Sequence, residues 1–309
     1  MEGQTEKQRI DLTGFSDKVQ QLKEQIAAVI VGQEQIVDLL LTAILANGHI
    51  LIEGVPGVAK TLLAKLTARL ISADFSRIQF TPDLMPSDVL GTTVFNMKTN
   101  DFDFHPGPVF ADIVLVDEIN RAPAKTQAAL FEVMEERQAS IDGKTYNLGE
   151  FYTILATQNP VEQEGTYKLP EAQLDRFLMK ISIGYPSLEE EIAILERHHT
   201  NTRLTLLEDI RPILTKKELL DMRKLTDRVF VEPSLLRYIA LIVQQTRTSK
   251  AIYLGASPRA SVAMLQSSKA YALLQGRDFI TPEDIKFVAP YILQHRLILT
   301  AEAEMEGLT

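Results

Sequence analysis

Lys60 and Thr61 close a loop, Gly54-Val55-Pro56-Gly57-Val58-Ala59, that follows the apolar run 49–53 and precedes leucines at helical spacing, Leu62, Leu63, Leu66 and Leu70. A strand, a glycine-containing loop and a helix start in that order make a phosphate site. The unpaired N–H groups and the positive end of the helix macrodipole converge on anionic oxygens. Lys60 can reach the β- and γ-phosphates of a nucleotide, and the Thr61 hydroxyl can ligate Mg²⁺. The loop departs from G-x-x-x-x-G-K-[ST] at Ala59, where the pattern has glycine. Alanine keeps the N–H donor, and its Cβ predicts a negative φ at that position. Val31 and Gly32, in the break between the first two helices, and Leu62 are counted with residues 54–61 as nucleotide-contacting candidates.

A pair of carboxylates follows. Residues 112–116 read as a buried parallel strand that ends on Asp117-Glu118. Taken alone, the pair could be solvated acids at a strand end. After a phosphate loop, Mg²⁺ needs an acidic neighbour and hydrolysis needs a base for water, so Asp117 is assigned to the metal and Glu118 to the water. Strand 153–157 ends at Gln158-Asn159-Pro160, which puts the Asn159 amide near the γ-phosphate if the sheet is parallel. Arg176, closing a short helix, reads by itself as a surface salt-bridge partner. Arg259 near a helix start opposes the dipole there, and a role facing phosphate fits that placement better than a structural one. His198 and His199 point about 100° apart on a helix and cannot chelate from one face.

The elements that must position these residues are legible in the same way. Val19, Leu22, Ile26 and Ile30 follow Ser16, read as an N-cap, and a second helix runs over 33–47 to Gly48. A strand is expected at 77–80 and a short helix at 83–91. Two hairpins are expected near 92–105 and, around Asp142-Gly143, near 138–148. Phe102 and Phe104 on the first could grip a client or pack inward, and His105 reads as a loop residue. Pro123 reads as the first residue of a helix that runs to about 137. Beyond Tyr185-Pro186 the pattern is almost wholly helical. Ser187/Glu190 and Thr215/Glu218 form capping boxes, and Glu232-Pro233, Ser257-Pro258 and Thr281-Pro282 form cap pairs. The domain reading is a flexible N-terminus over 1–15, an α/β domain over 16–185 carrying both hairpins, and a smaller all-α domain over 186–309.

Composition bounds the function classes. The chain has 309 residues, 45% of them hydrophobic, enough for two domains. A net charge of −9 argues against a generic grip on duplex DNA. The absence of cysteine excludes disulfides, thiolate metal sites and cysteine nucleophiles. No apolar stretch approaches the ~20 residues that span a bilayer, and the first residues lack a signal-peptide core, so a soluble, cytoplasmic protein without membrane insertion is expected.

GVPGVAKT, LVDEIN, ATQNP, LDRF and GASPRA, in that order along the chain, resemble the AAA+ ATPases and specifically the MoxR family. The resemblance implies a Walker A motif over 54–61, with Ala59 a familiar MoxR-type substitution, and a Walker B motif at Asp117 and Glu118. It further implies sensor 1 at Asn159, an arginine finger at Arg176 and sensor 2 at Arg259. The hairpins look like the helix-2 insert and the pre-sensor-1 hairpin. A five-stranded parallel core with a helical lid, ATP and Mg²⁺ between them, and a homo-oligomeric ring, commonly a hexamer, are implied. So is chaperone-like remodelling of protein complexes, often with a von Willebrand factor A domain partner. Two other readings stand beside this one. A nucleic-acid translocase is disfavoured by the acidic balance, and a nucleotide-gated scaffold with little turnover by intact Glu118 and Asn159.

Overall fold

The computed structural model describes residues 11–55, 57–159, 166–199 and 210–308. Helices α1 (Thr13–Val29) and α2 (Glu34–Leu45) lead into β1 (Ile50–Gly54), the phosphate loop and α3 (Lys60–Leu70). Then come β2 (Phe75–Gln79), α4 (Pro86–Leu90) and the hairpin β3 (Gly91–Asn96) and β4 (Asp101–Pro106). The core continues through β5 (Ile113–Asp117) and α5 (Ala124–Glu136). The second hairpin, β6 (Gln138–Ile141) and β7 (Lys144–Asn147), precedes β8 (Thr153–Gln158), α6 (Glu171–Leu174) and β9 (Met179–Ile183). The remainder comprises α7 (Leu188–His199), α8 (Lys216–Arg228), α9 (Pro233–Thr248) and β10 (Ile252–Leu254). It ends with α10 (Pro258–Leu274), α11 (Pro282–Leu293), β11 (Ile298–Leu299) and α12 (Ala301–Met305).

Five strands form a parallel sheet in the order β2-β5-β8-β1-β9. Strand alternation divides its side chains between two cores. Ile50, Ile52, Ile113, Leu115 and Leu155 enter the layer shared with α1, α2, α3 and the helical domain. Leu51, Val114, Val116, Ile154 and Ala156 enter the layer shared with α5 and the hairpins. Helix α2 is apolar nearly all round because it lies between β9 on one side and α8 and α10 on the other. The order brings the C-terminal ends of β1, β5 and β8 side by side, where open α/β sheets bind ligands.

Four local expectations change. Helix α1 begins at Thr13, not after Ser16; Thr13 N–H donates to Asp11 Oδ1 at 3.0 Å, and Phe15 is buried. The flexible segment expected over 1–15 therefore loses its last residues to the helix, and residues 1–10 lie outside the described part. Pro123 is the N-cap of α5, and His105 lies in β4 opposite Thr92. Glu232 does occupy the expected cap position of α9, without a side-chain cap bond. The helical domain also holds the antiparallel pair β10 and β11, whose segments are too short to show a period of two.

Candidate active site

Ala59 has φ +57°, in the left-handed region, and is the N-cap of α3. This corrects the negative φ read from its side chain. With Gly57 at φ +87°, the loop turns into the helix through left-handed backbone, and Ala59 adopts it at a cost of about 1–2 kcal/mol. Lys60 Nζ donates to Gly54 O at 2.6 Å, across the loop. Burial holds the Lys60 pKa below its ordinary value, and the negative charges of Asp117 and Glu118 oppose that shift. Pro56 lies outside the described residues.

Asp117 is buried at the end of β5. The Arg77 Nε donates to its Oδ2 at 2.6 Å from the neighbouring β2, and the Thr157 hydroxyl donates to its Oδ1 at 3.1 Å from β8 on the other side. Glu118 stands at φ +57°. Its N–H donates to Thr157 Oγ1 at 3.1 Å, and the next N–H, of Ile119, donates to Thr157 O at 3.0 Å. Its carboxylate accepts from Gln79 Nε2 at 2.9 Å and pairs with Arg121 Nε at 2.9 Å. A non-glycine residue in left-handed backbone at a strand end is strain of the kind found where a side chain is aimed. One Thr157 hydroxyl thus joins the Asp117 carboxylate to the Glu118 backbone. Asn159, one residue beyond β8, is buried. Thr61 is the second residue of α3.

A cavity of about 810 Å³ opens beside the α3 N-terminus, lined by Val31, Val58, Ala59 and Leu62 and, beyond β9, by Tyr185, Glu190 and Tyr291. The break before α2 is left-handed at both Gly32 and Gln33. A Cβ on Gly32 would come within 1.9 Å of the Glu190 carboxylate, so glycine is required there by contact as well as by φ.

Arg176 and Arg259 lie elsewhere and together. Arg176 Nη2 and Arg259 Nη2 each reach one oxygen of Glu135 at 2.7 Å. They line a separate cavity of about 500 Å³ with Asn47, Arg137 and Arg296, which shares no lining residue with the cavity at the phosphate loop. The lid elements at that first cavity are α7 and α11, rather than the start of α10 that carries Arg259.

Residues 49–179 match the family described as "ATPase family associated with various cellular activities (AAA)", and residues 244–309 match "AAA lid domain". YeaC of Bacillus subtilis, named as uncharacterized, is 48% identical over 92% of this chain and 88% of its own. Chaperone MoxR1 of Mycobacterium tuberculosis is 44% identical over 90% of this chain and 75% of its own. Protein MoxR of Methylorubrum extorquens is 30% identical over 95% and 91%. A crystal structure from Cytophaga hutchinsonii superposes with a TM-score of 0.88 at 43% identity, covering 96% of this chain and 92% of that one. The chain belongs to the MoxR family of AAA+ ATPases. Its reaction is hydrolysis of ATP, bound by an α/β core that is followed by a lid.

Within this MoxR fold, Phe104 packs inward: it stacks on Tyr146 of the second hairpin at 4.0 Å and meets Phe110 edge-on. Phe102 does not; it pairs edge-on with Phe95, and both are exposed with Met97 at the hairpin tip. No group of His, Asp or Glu among the described residues forms a self-contained metal cage. No helix among them is long and apolar enough to cross a membrane. Reading the sequence missed Arg77, Gln79, Arg121 and Thr157 around the carboxylates and Glu135 between the arginines. Thr157 carries a partial signal, since it lies two residues before Asn159 on a strand expected to end at the site. The others carry no local signal.

Proposed function

We propose that this MoxR ATPase works as a ring of identical subunits, most simply a hexamer, in which each ATP is cleaved between two subunits. Lys60 and the loop amides from Gly54 to Thr61 hold the phosphates. Glu118 orients and polarises the attacking water, and Asn159 donates its amide on the γ-phosphate side. Arg176 and Arg259 of one subunit face the ATP of the next. The observation that carries this reading is the separation of the two cavities: the arginines of core and lid gather at one that shares no lining residue with the cavity beside the phosphate loop.

Mg²⁺ belongs to the reading as an oxygen-seeking ion that spreads the phosphate charge. Its donor set fits the residues present, since Mg²⁺ takes one or two protein oxygens and fills the rest with phosphate and water. Thr61 and Asp117 would supply those oxygens. Arg77 and Thr157 fix the Asp117 carboxylate in direction.

The work done by hydrolysis is read as remodelling or maturation of protein complexes. Support comes from the relative named a chaperone and from the exposed Phe95, Met97 and Phe102 at a hairpin tip, which suit a polypeptide client. A von Willebrand factor A domain partner is carried by family resemblance, and a cytoplasmic location by the supply of ATP. Lys98 and Lys144 on the hairpins stand among Asp101, Asp103 and Asp142, so DNA is expected to leave the ATPase rate unchanged.

The test mixes two inactive variants. Arg176→Ala and Lys60→Ala each lack one half of the composite site, and in mixed rings some interfaces regain both halves. Partial recovery of phosphate release is expected. No recovery in demonstrably mixed rings, or full activity in a dilute monomer, defeats the assignment.

A further inference from the structure

Glu135 is the last but one residue of α5, the helix that connects the Walker B strand to the sensor strand. Its Oε2 accepts from Arg176 Nη2 and its Oε1 from Arg259 Nη2, both at 2.7 Å. Arg176 is also held one turn earlier on the same helix, where its Nη1 donates to Phe131 O at 2.6 Å and its guanidinium lies 6.0 Å from the Phe131 ring centre. Its buried Nε has no acceptor. Arg259, the second residue of α10, projects from the lid with its side chain 55% exposed.

The backbones that carry the two arginines are fixed to each other nearby. Asp175 Oδ2 accepts from Ser257 Oγ, the N-cap of α10, at 3.0 Å. Asp175 Oδ1 accepts from Arg296 Nε at 2.7 Å, and the buried Arg296 donates again to the carbonyls of Asp175, Phe177 and Leu178. That network sets where the arginines start; Glu135 sets where their charged ends go. Arg137, Arg176, Arg259 and Arg296 line one cavity with Glu135 and Asp175. Since Asp175 is committed to Ser257 and Arg296, the charge that lets Arg176 and Arg259 approach each other is that of Glu135.

We infer that Glu135 is a positioning residue for hydrolysis in the neighbouring subunit, joining the core Arg176 and the lid Arg259 into one cationic pair that meets the neighbour's γ-phosphate as a unit. The inference rests on the reading of both arginines as acting on the next subunit. Each guanidinium spends one N–H on Glu135; Arg176 spends another on Phe131 O and buries its Nε, so the donors left for a ligand are its remaining Nη hydrogens and those of the more exposed Arg259. Any shift of α10 against α5 separates the pair, so the position of the lid sets the geometry of the finger.

The experiment uses assembled protein with ATP and Mg²⁺, reading phosphate release, ATP affinity and recovery in mixed rings. Glu135→Gln keeps the shape and removes the charge. Turnover is expected to fall tenfold or more, with ATP affinity within twofold of the parent. Glu135→Asp keeps the charge but is too short to span both guanidiniums, and a severalfold loss is expected from it as well. Recovery identifies the side on which Glu135 acts: Glu135→Gln should regain activity when mixed with Lys60→Ala and not when mixed with Arg176→Ala. A parental rate in either variant overturns the inference. So does recovery with Arg176→Ala, which would place Glu135 with its own subunit's ATP. A folding defect would be complemented by neither partner and would lower the unfolding midpoint, and that result also counts against a positioning role. If Arg176→Ala and Lys60→Ala fail to complement each other, the underlying reading falls instead, and the two failures are told apart.

Discussion

The cleft at the phosphate loop and the face that carries Arg176 and Arg259, both proposed to serve phosphate chemistry, are built differently. The cleft takes its groups from the C-terminal ends of adjacent parallel strands, where the sheet fixes their spacing. Asp117 and Glu118 are consecutive, and Thr157 stands beside them by strand register. The arginine face draws on residues 135, 176 and 259, from a helix end, a turn after a short helix and the lid. No ladder of hydrogen bonds spaces these side chains; two carboxylates and a buried arginine do. A site on strands holds its geometry within one subunit, whereas a site built across core and lid changes whenever the lid moves.

The largest effect should come from the arginine face. Arg176→Ala is expected to lower turnover by about 10³–10⁵ while ATP affinity stays within twofold, which phosphate release and labelled-ATP binding will show. Lys60→Ala should lose ATP binding itself, and an Arg176 variant that also lost binding would erase the distinction between the two regions. Next comes the base. Glu118→Gln should lower turnover by about 10²–10⁴ and let ATP persist on the protein, seen as retained label after a chase. Thr157→Val removes the hydroxyl that donates to Asp117 and accepts from Glu118 N–H, so about a tenfold loss in kcat is expected with a smaller change in KM.

Acid should separate the regions by stability. His49 accepts the Ile154 N–H at Nδ1, so Nε2 carries the proton facing Met134 O; burial pushes its pKa down to about 4. His295, facing Phe177 O, is pushed down to about 3 by burial and by Arg296. His49 lines the arginine cavity, and His295 shares the Phe177 carbonyl with Arg296, which lines it too. Because the unfolded chain takes up these protons first, their contribution is complete above about pH 6.5 and is lost as pH falls toward the folded values. The steepest loss is about 1.4 kcal/mol per pH unit for each histidine. Unfolding midpoints measured from pH 7 to 5 should fall in the parent and fall less in His49→Gln. The smallest effect belongs to the loop. Ala59→Gly relieves left-handed backbone and is expected to stabilise the protein by about 1 kcal/mol, read by denaturant titration.

Much of the cleft is legible in the chain because its parts are contiguous. A loop between an apolar strand and a helix, a strand ending in two acids and a strand ending in an amide each carry their own periodicity, and a parallel sheet can align them in few ways. The phosphate loop even shows where the reading stops: a side chain suggests a negative φ at Ala59, but the turn into α3 imposes +57°. Arg77 and Gln79 look like ordinary strand residues until β2 is placed beside β5, which puts Gln79 opposite Asp117.

The sequence by itself determined the α/β core and the lid and singled out Lys60, Asp117, Glu118 and Asn159 as candidates, because short motifs and helix caps are local properties. Tertiary structure decided which strands neighbour which, the backbone strain at Ala59 and Glu118, and the meeting of Arg176 with Arg259 on Glu135. Those depend on packing between segments from about forty to more than a hundred residues apart, where the hydrophobic effect chooses the partners and no local pattern marks which side chains will meet.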